Sequence, residues 1–162
     1  MFKKIKPYIL PFSVSIAIPI TVGIISAALT KDSMKAYEGL NSPPLSPPPA
    51  VFPIVWTILF ILMGISSAII YLQRENNFED AKKGLTNYGV SLILNFSWSL
   101  IFFNLQASFF ALLCLIALFC LIISTIINYF KVNKLAAYLQ IPYAIWVVFA
   151  GYLNAGIWLL NQ

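Results

Sequence analysis

The chain has 162 residues, of which 60% are apolar and 9% charged, against about 25% charged in a typical soluble domain. Too little polar surface is available to cover a water-soluble fold of this size. No His is present, which removes the commonest metal and haem ligand, and the Asp and Glu residues fall in loops, where they build no metal cluster or carboxylate pair inside a membrane.

A hydrocarbon core of about 30 Å needs roughly 20 apolar residues in a helix that bonds its own backbone. Five stretches are long enough, at residues 7–29, 50–72, 85–103, 107–130 and 135–160. They predict an all-α integral membrane bundle of five transmembrane helices, one domain over residues 1–162. The first stretch follows Lys3, Lys4 and Lys6 as the core of a signal peptide would. It exceeds the roughly 7–15 residues of such a core and no clear small-residue cleavage site follows, so it reads as a helix. Pro19 and, in the fifth stretch, Pro142 each remove a backbone donor and should kink their helices.

Residues 30–49 form a long connection with Pro43, Pro44, Pro47, Pro48 and Pro49. Proline at this density fixes φ and favours stiff, extended polyproline II structure. The segment is either a rigid spacer or a lid over one end of the bundle.

The third stretch carries Asn87, Ser91, Asn95 and Ser99 at intervals of four, which puts them on one stripe that should face protein. In the fourth, Cys114 and Cys120 read as small hydrophobes. The fifth presents Tyr143, Trp146, Ala150, Leu153, Asn154 and Ile157 on one face. Asn95 and Asn154 either tie helices together or meet a bound molecule. Trp56, Trp98 and Trp146, on three different helices, either pack the core or converge on an apolar cavity. Gly23/Ala27, Gly64/Ala68 and Gly151/Ala155 are small pairs that allow close packing within the bundle or between two copies.

Five crossings place Lys3, Lys4, Lys6, Arg74, Lys82, Lys83, Lys131 and Lys134 on one side, against Lys31 and Lys35 on the other. The positive-inside rule then puts the N-terminus in the cytoplasm and the C-terminus outside. That bias accounts for the net charge of +5 without a nucleic-acid partner. Tyr8, Tyr71, Tyr88, Tyr129 and Tyr138 fall near the cytoplasmic ends, where their hydroxyls are expected to reach water.

Several spaced signatures together resemble the translocator proteins, also called tryptophan-rich sensory proteins or peripheral benzodiazepine receptors. They are Tyr37-Glu38-Gly39-Leu40 with Pro43 and Pro47-Pro48; Val51-Phe52-Pro53-Ile54-Val55-Trp56-Thr57 with Met63-Gly64; Asn95 with Trp98 and Phe102-Phe103; and Ile141-Pro142-Tyr143, Trp146 and Ala150-Gly151-Tyr152-Leu153-Asn154. The resemblance implies a multi-pass protein of a bacterial cell membrane, in some members a homodimer. It also implies a cavity for porphyrins, sterol-like molecules and other apolar aromatic ligands, with porphyrin a ligand rather than a cofactor. By position, Phe52, Trp56, Asn95, Trp98, Tyr143, Trp146, Ala150 and Leu153 are expected to line that cavity, with Pro47 and Pro48 shaping its lid. Lys31 and Lys35 are expected at its mouth, near the carboxylates of a bound porphyrin. The family usually carries Trp and Lys in the first loop where this chain has Leu45 and Ser42, and the sterol pattern after Tyr152 lacks its basic residue.

Three functions follow as alternatives: a receptor or sensor of tetrapyrroles, an enzyme that degrades protoporphyrin in light through Trp56 and Trp146, or a transporter. The absence of charge at mid-membrane and of visible inverted repeats counts against coupled transport.

Overall fold

The computed structural model describes residues 6–33 and 39–162, with side chains from residue 8 onward. Lys3, Lys4, the Lys6 side chain, Lys35, Tyr37 and Glu38, on which part of the charge bias and of the first loop signature rest, lie outside the described residues. The chain folds into α1 (Lys6–Thr30), α2 (Val51–Leu72), α3 (Phe78–Ser99), a π-helical segment continuing α3 (Leu100–Asn104), α4 (Ser108–Val132) and α5 (Lys134–Leu160).

By length and apolarity, α1, α2, α4 and α5 can each cross a membrane. These criteria account for four crossings rather than the five expected. The exception is α3, which begins seven residues earlier than its apolar stretch. Its cap is Asn77, whose Oδ1 accepts from the Asp80 amide at 3.4 Å. Glu79 and Asp80 occupy the first turn, where negative charge suits the exposed N–H groups. That polar start, with the Asn and Ser stripe, lowers the hydropathy of the whole helix.

The helices form a ring in which α1 packs on α2, α2 on α5, α5 on α4 and α4 on α3, and α3 with its π-helical end returns to α1. Met63, Leu118, Ile122, Tyr143, Val147 and Ile157 are fully buried in the centre, whereas α1 leaves Leu10 70% and Ile24 65% exposed on its outer side. Such a surface matches lipid rather than water.

Close approach depends on Gly64, where an added Cβ would sit 2.5 Å from Ile16 Cα in α1. Gly23 takes the Phe60 ring against its backbone. Gly151 meets nothing within 4 Å, so this glycine does not serve close packing within the bundle. Asn87 Nδ2 donates to Ser124 Oγ at 2.8 Å, tying α3 to α4.

At the end away from the proline loop, Lys131 of α4 donates to Asp80 at 2.9 Å. The Lys131 ammonium, and after it the Asn77 amide, hold the Asp80 carboxyl below its usual range. Asn133 caps α5 through the Ala136 amide at 3.1 Å and donates to Gln73 Oε1 at 2.9 Å. Tyr8, Tyr71 and Tyr138 are exposed, but Tyr88 and Tyr129 are buried together with their hydroxyls. The expected belt of five therefore reduces to three among the described residues, because the other two rings are buried inside the bundle. The Tyr129 ring lies where a Cβ on Gly84 would be, at 2.6 Å.

Candidate functional site

At the proline-loop end the bundle leaves a cavity of about 830 Å³, within the roughly 300–1,000 Å³ of small-molecule sites. One wall is α2. Phe52, Trp56 and Phe60 recur every four residues and so share one face, with Trp56 stacked on Phe60 at 5.3 Å. The facing wall is α3 and its π-helical end, where Trp98 stacks on Phe102 at 5.5 Å and meets Phe103 edge-on at 6.2 Å.

The π-helical segment arises where Leu105 N–H bonds back five residues to the Leu100 carbonyl at 3.0 Å. The widened turn lets neighbouring Phe102 and Phe103 both reach the cavity. It also carries Asn104 to the end of α1, where Nδ2 donates to the Leu29 carbonyl at 3.0 Å.

Of the residues expected to line the site, Phe52, Trp56, Asn95, Trp98, Ala150, Leu153 and Pro47 do so. Tyr143 and Trp146 do not touch it. They stand one layer behind, Tyr143 edge-on to Trp56 at 6.1 Å and Trp146 edge-on to Phe52 at 5.9 Å. Pro48 is also off the wall. Its carbonyl accepts from the Val51 amide at 2.9 Å and starts α2, while Pro49 shares the roof with Pro47.

Sequence reasoning missed the wall supplied by α1, which includes Gly23, Ala27 and Thr30. Their signal was present as small or polar residues at intervals of three and four in an otherwise bulky helix. Phe60, one turn beyond Trp56, was legible in the same way.

The two Asn side chains of the lining differ in their bonding. Asn154 is committed to structure: Oδ1 accepts from Trp98 Nε1 at 3.1 Å and Nδ2 donates to the Ser108 carbonyl at 2.7 Å. Asn95 is 5% exposed, and its amide has no hydrogen-bond partner among the described residues. An amide without a partner gains from any group it can reach, so Asn95 is a lining group with bonding capacity left for a ligand. No charged side chain lines the cavity among the described residues. Lys31 follows the lining residue Thr30 but is exposed.

The loop roof is pinned to the end of α5. Asn161 Oδ1 accepts from the Asn41 amide at 2.9 Å, Asn161 Nδ2 donates to the Asn41 carbonyl at 2.9 Å, and Tyr152 Oη donates to the Pro44 carbonyl at 2.7 Å. Gly156 admits Pro43, which lies 2.6 Å from where a Cβ would be. The continuous polyproline rod expected from composition is broken by a turn at Pro44 and Leu45, where Leu45 takes φ 66° and is 82% exposed. Leu45 does not contribute to the cavity.

A sequence profile of the TspO/MBR family matches residues 15–159. A tryptophan-rich protein TspO of Chlorobaculum tepidum is 35% identical over 94% of this chain and 97% of its own length. Protein CrtK of Rhodobacter capsulatus is 37% identical over 77% of this chain and 78% of its own. The translocator protein of Bos taurus is 30% identical over 90% of this chain and 86% of its own.

Proposed function

The chain belongs to the TspO/MBR family, and from that premise we propose that it is a five-span membrane receptor binding porphyrins and similar flat apolar molecules in the cavity under the proline-rich loop. The observation that carries this reading is the pair of facing aromatic walls, Phe52–Trp56–Phe60 and Trp98–Phe102–Phe103, around an otherwise unbonded Asn95 amide. Indole and phenyl faces stack on a planar macrocycle, and the Asn95 amide gives it an orientation.

The fifth span is α3. Its helix and π-helical continuation together exceed the roughly 30 Å of hydrocarbon. The stripe that lowers its hydropathy is turned inward, with Asn87 bonded to α4 and Asn95 at the cavity. The surplus of Lys and Arg at the end away from the loop supports a cytoplasmic N-terminus.

The test is dark titration of the detergent-purified protein with protoporphyrin, followed by tryptophan quenching. Trp56→Ala should weaken saturable binding about tenfold, because a stacking wall is lost. Trp146→Phe should change it less than about twofold, since its ring is behind the wall. Equal effects of the two substitutions, or no saturable binding in the wild type, would refute the cavity as the site. Loss of the porphyrin band on illumination, faster than without protein, would add a photochemical activity in which Trp56, the one of the two tryptophans on the wall, meets the pigment.

Asn161→Ala should speed porphyrin dissociation about fivefold, because it removes both bonds that hold Asn41 and so loosens the roof. Stopped-flow quenching reads this rate. An unchanged rate would mean that the ligand does not pass the loop.

A further inference from the structure

At the end of the bundle away from the cavity, where α2 turns into α3, a second groove of about 320 Å³ is lined by Tyr71, Arg74, Phe78, Lys82, Leu85 and Thr86. Tyr71 lies in the last turn of α2, Arg74 sits in the turn that follows, and the other four share a face of α3 at intervals of four, three and one. The groove has a cationic part, Arg74 and Lys82, and an apolar part in which Tyr71 is 45% and Phe78 57% exposed.

Arg74 is held in place. Its guanidinium carbon lies 4.2 Å from the centre of the Tyr71 ring, and Nη1 donates to the Tyr71 carbonyl at 2.6 Å. Only one of its five donors is used in this way, and the remaining fork is oriented before any ligand arrives. Neither Arg74 nor Lys82 is in an ion pair with a described residue. Asp80, the nearby carboxylate that is paired, is turned across to Lys131 of α4, and Glu75 and Glu79 are not on the groove.

We propose that this groove seats the phosphate of an anionic phospholipid, bonded by Arg74 and Lys82, with its glycerol and first acyl carbons against Tyr71, Phe78 and Leu85. A held guanidinium and an exposed ammonium beside exposed aromatic rings at the end of a spanning helix match the boundary between headgroup and acyl chain. A soluble phosphate would satisfy the two cations but leave the exposed Phe78 ring uncovered. The lipid satisfies both halves. This site is separate from the porphyrin cavity and does not depend on what that cavity binds.

The experiment is native mass spectrometry of the detergent-solubilised protein offered equal amounts of phosphatidylglycerol and phosphatidylcholine. The wild type should retain one phosphatidylglycerol in preference. The Arg74→Gln, Lys82→Gln double variant should retain about tenfold less, having lost the charge-assisted bonds. Arg74→Lys keeps the charge but not the stacked fork and should fall between them. Helical circular dichroism verifies folding in each variant without reference to porphyrin. Equal retention of the two lipids, equal retention by the double variant, or displacement by glycerol 3-phosphate at the same concentration as the lipid would each overturn the proposal, the last by showing a soluble phosphate site.

Discussion

Replacing Ala150 by Phe should abolish detectable porphyrin binding, raising Kd at least about thirtyfold, without loss of the folded bundle. Ala150 lies on α5 at the cavity wall and is 7% exposed. Its neighbours on that face are Leu153 and Asn154, and the aromatic walls of α2 and α3 stand across the open volume. A benzyl group projected from here occupies the space between the two walls, where a planar ligand would have to lie. Adding bulk to a packed core ordinarily costs about 1–3 kcal/mol through strain. This ring instead enters about 830 Å³ that side chains leave open, and it can stack on the rings already there. The thermal midpoint should therefore hold or rise as affinity disappears. Porphyrin binding that survives Ala150→Phe with unchanged affinity would place the ligand outside the bundle.

Gly64→Ala should destabilise the protein by about 1–3 kcal/mol and weaken ligand binding at the same time. An added Cβ would lie 2.5 Å from Ile16 Cα and 2.8 Å from the Ser15 carbonyl oxygen. Both are backbone atoms of α1, which cannot swing aside as a side chain does, so the whole helix has to move. Because α1 also supplies the Gly23, Ala27 and Thr30 wall of the cavity, that displacement reaches the site. Gly151→Ala is the matched control. Nothing lies within 4 Å of its added Cβ, and the change should be neutral or stabilising by up to about 1 kcal/mol through helix propensity. Thermal unfolding in detergent compares the two. A Gly64→Ala midpoint equal to that of Gly151→Ala would show that α1 and α2 are not locked at this contact.

The aromatic and Asn positions of the site were legible because they repeat on one face of each helix and because their motifs resemble a known family. What remained hidden is depth. Tyr143, Trp146, Ala150 and Leu153 all belong to the inward side of α5, yet the first two support Trp56 and Phe52 from behind while the other two meet the cavity. An angular position on a helix does not say whether the next object inward is another side chain or open space. The same limit applies to Tyr88 and Tyr129, whose distance from the end of a helix suggested a wet belt but which the packed bundle buries.

The proline loop shows a second limit. Composition specified a stiff segment, but its course depends on Asn161, Tyr152 and Gly156, with hydrogen-bond partners 120 and 108 residues away in the chain. The turn at Leu45 and the π-helical end of α3 are likewise answers to where α5 and α1 stand.

The sequence by itself determined the helical class, five apolar stretches of which four meet the length and apolarity of a membrane span, and the inward stripe of α3. Each of these follows from local rules: a hydrocarbon layer demands a minimum apolar length, the backbone must bond itself there, and periodicity assigns a face. Only the tertiary structure decided that α1 completes the cavity, that Trp146 stands behind it, that Asn154 is spent on Trp98 and Ser108 while Asn95 is not, and that Gly64 rather than Gly151 carries a close contact. The reason is that a face is a property of one segment, whereas a cavity, a buried bond and a close contact exist only between segments, set by how the side chains of one helix fit the surface of another.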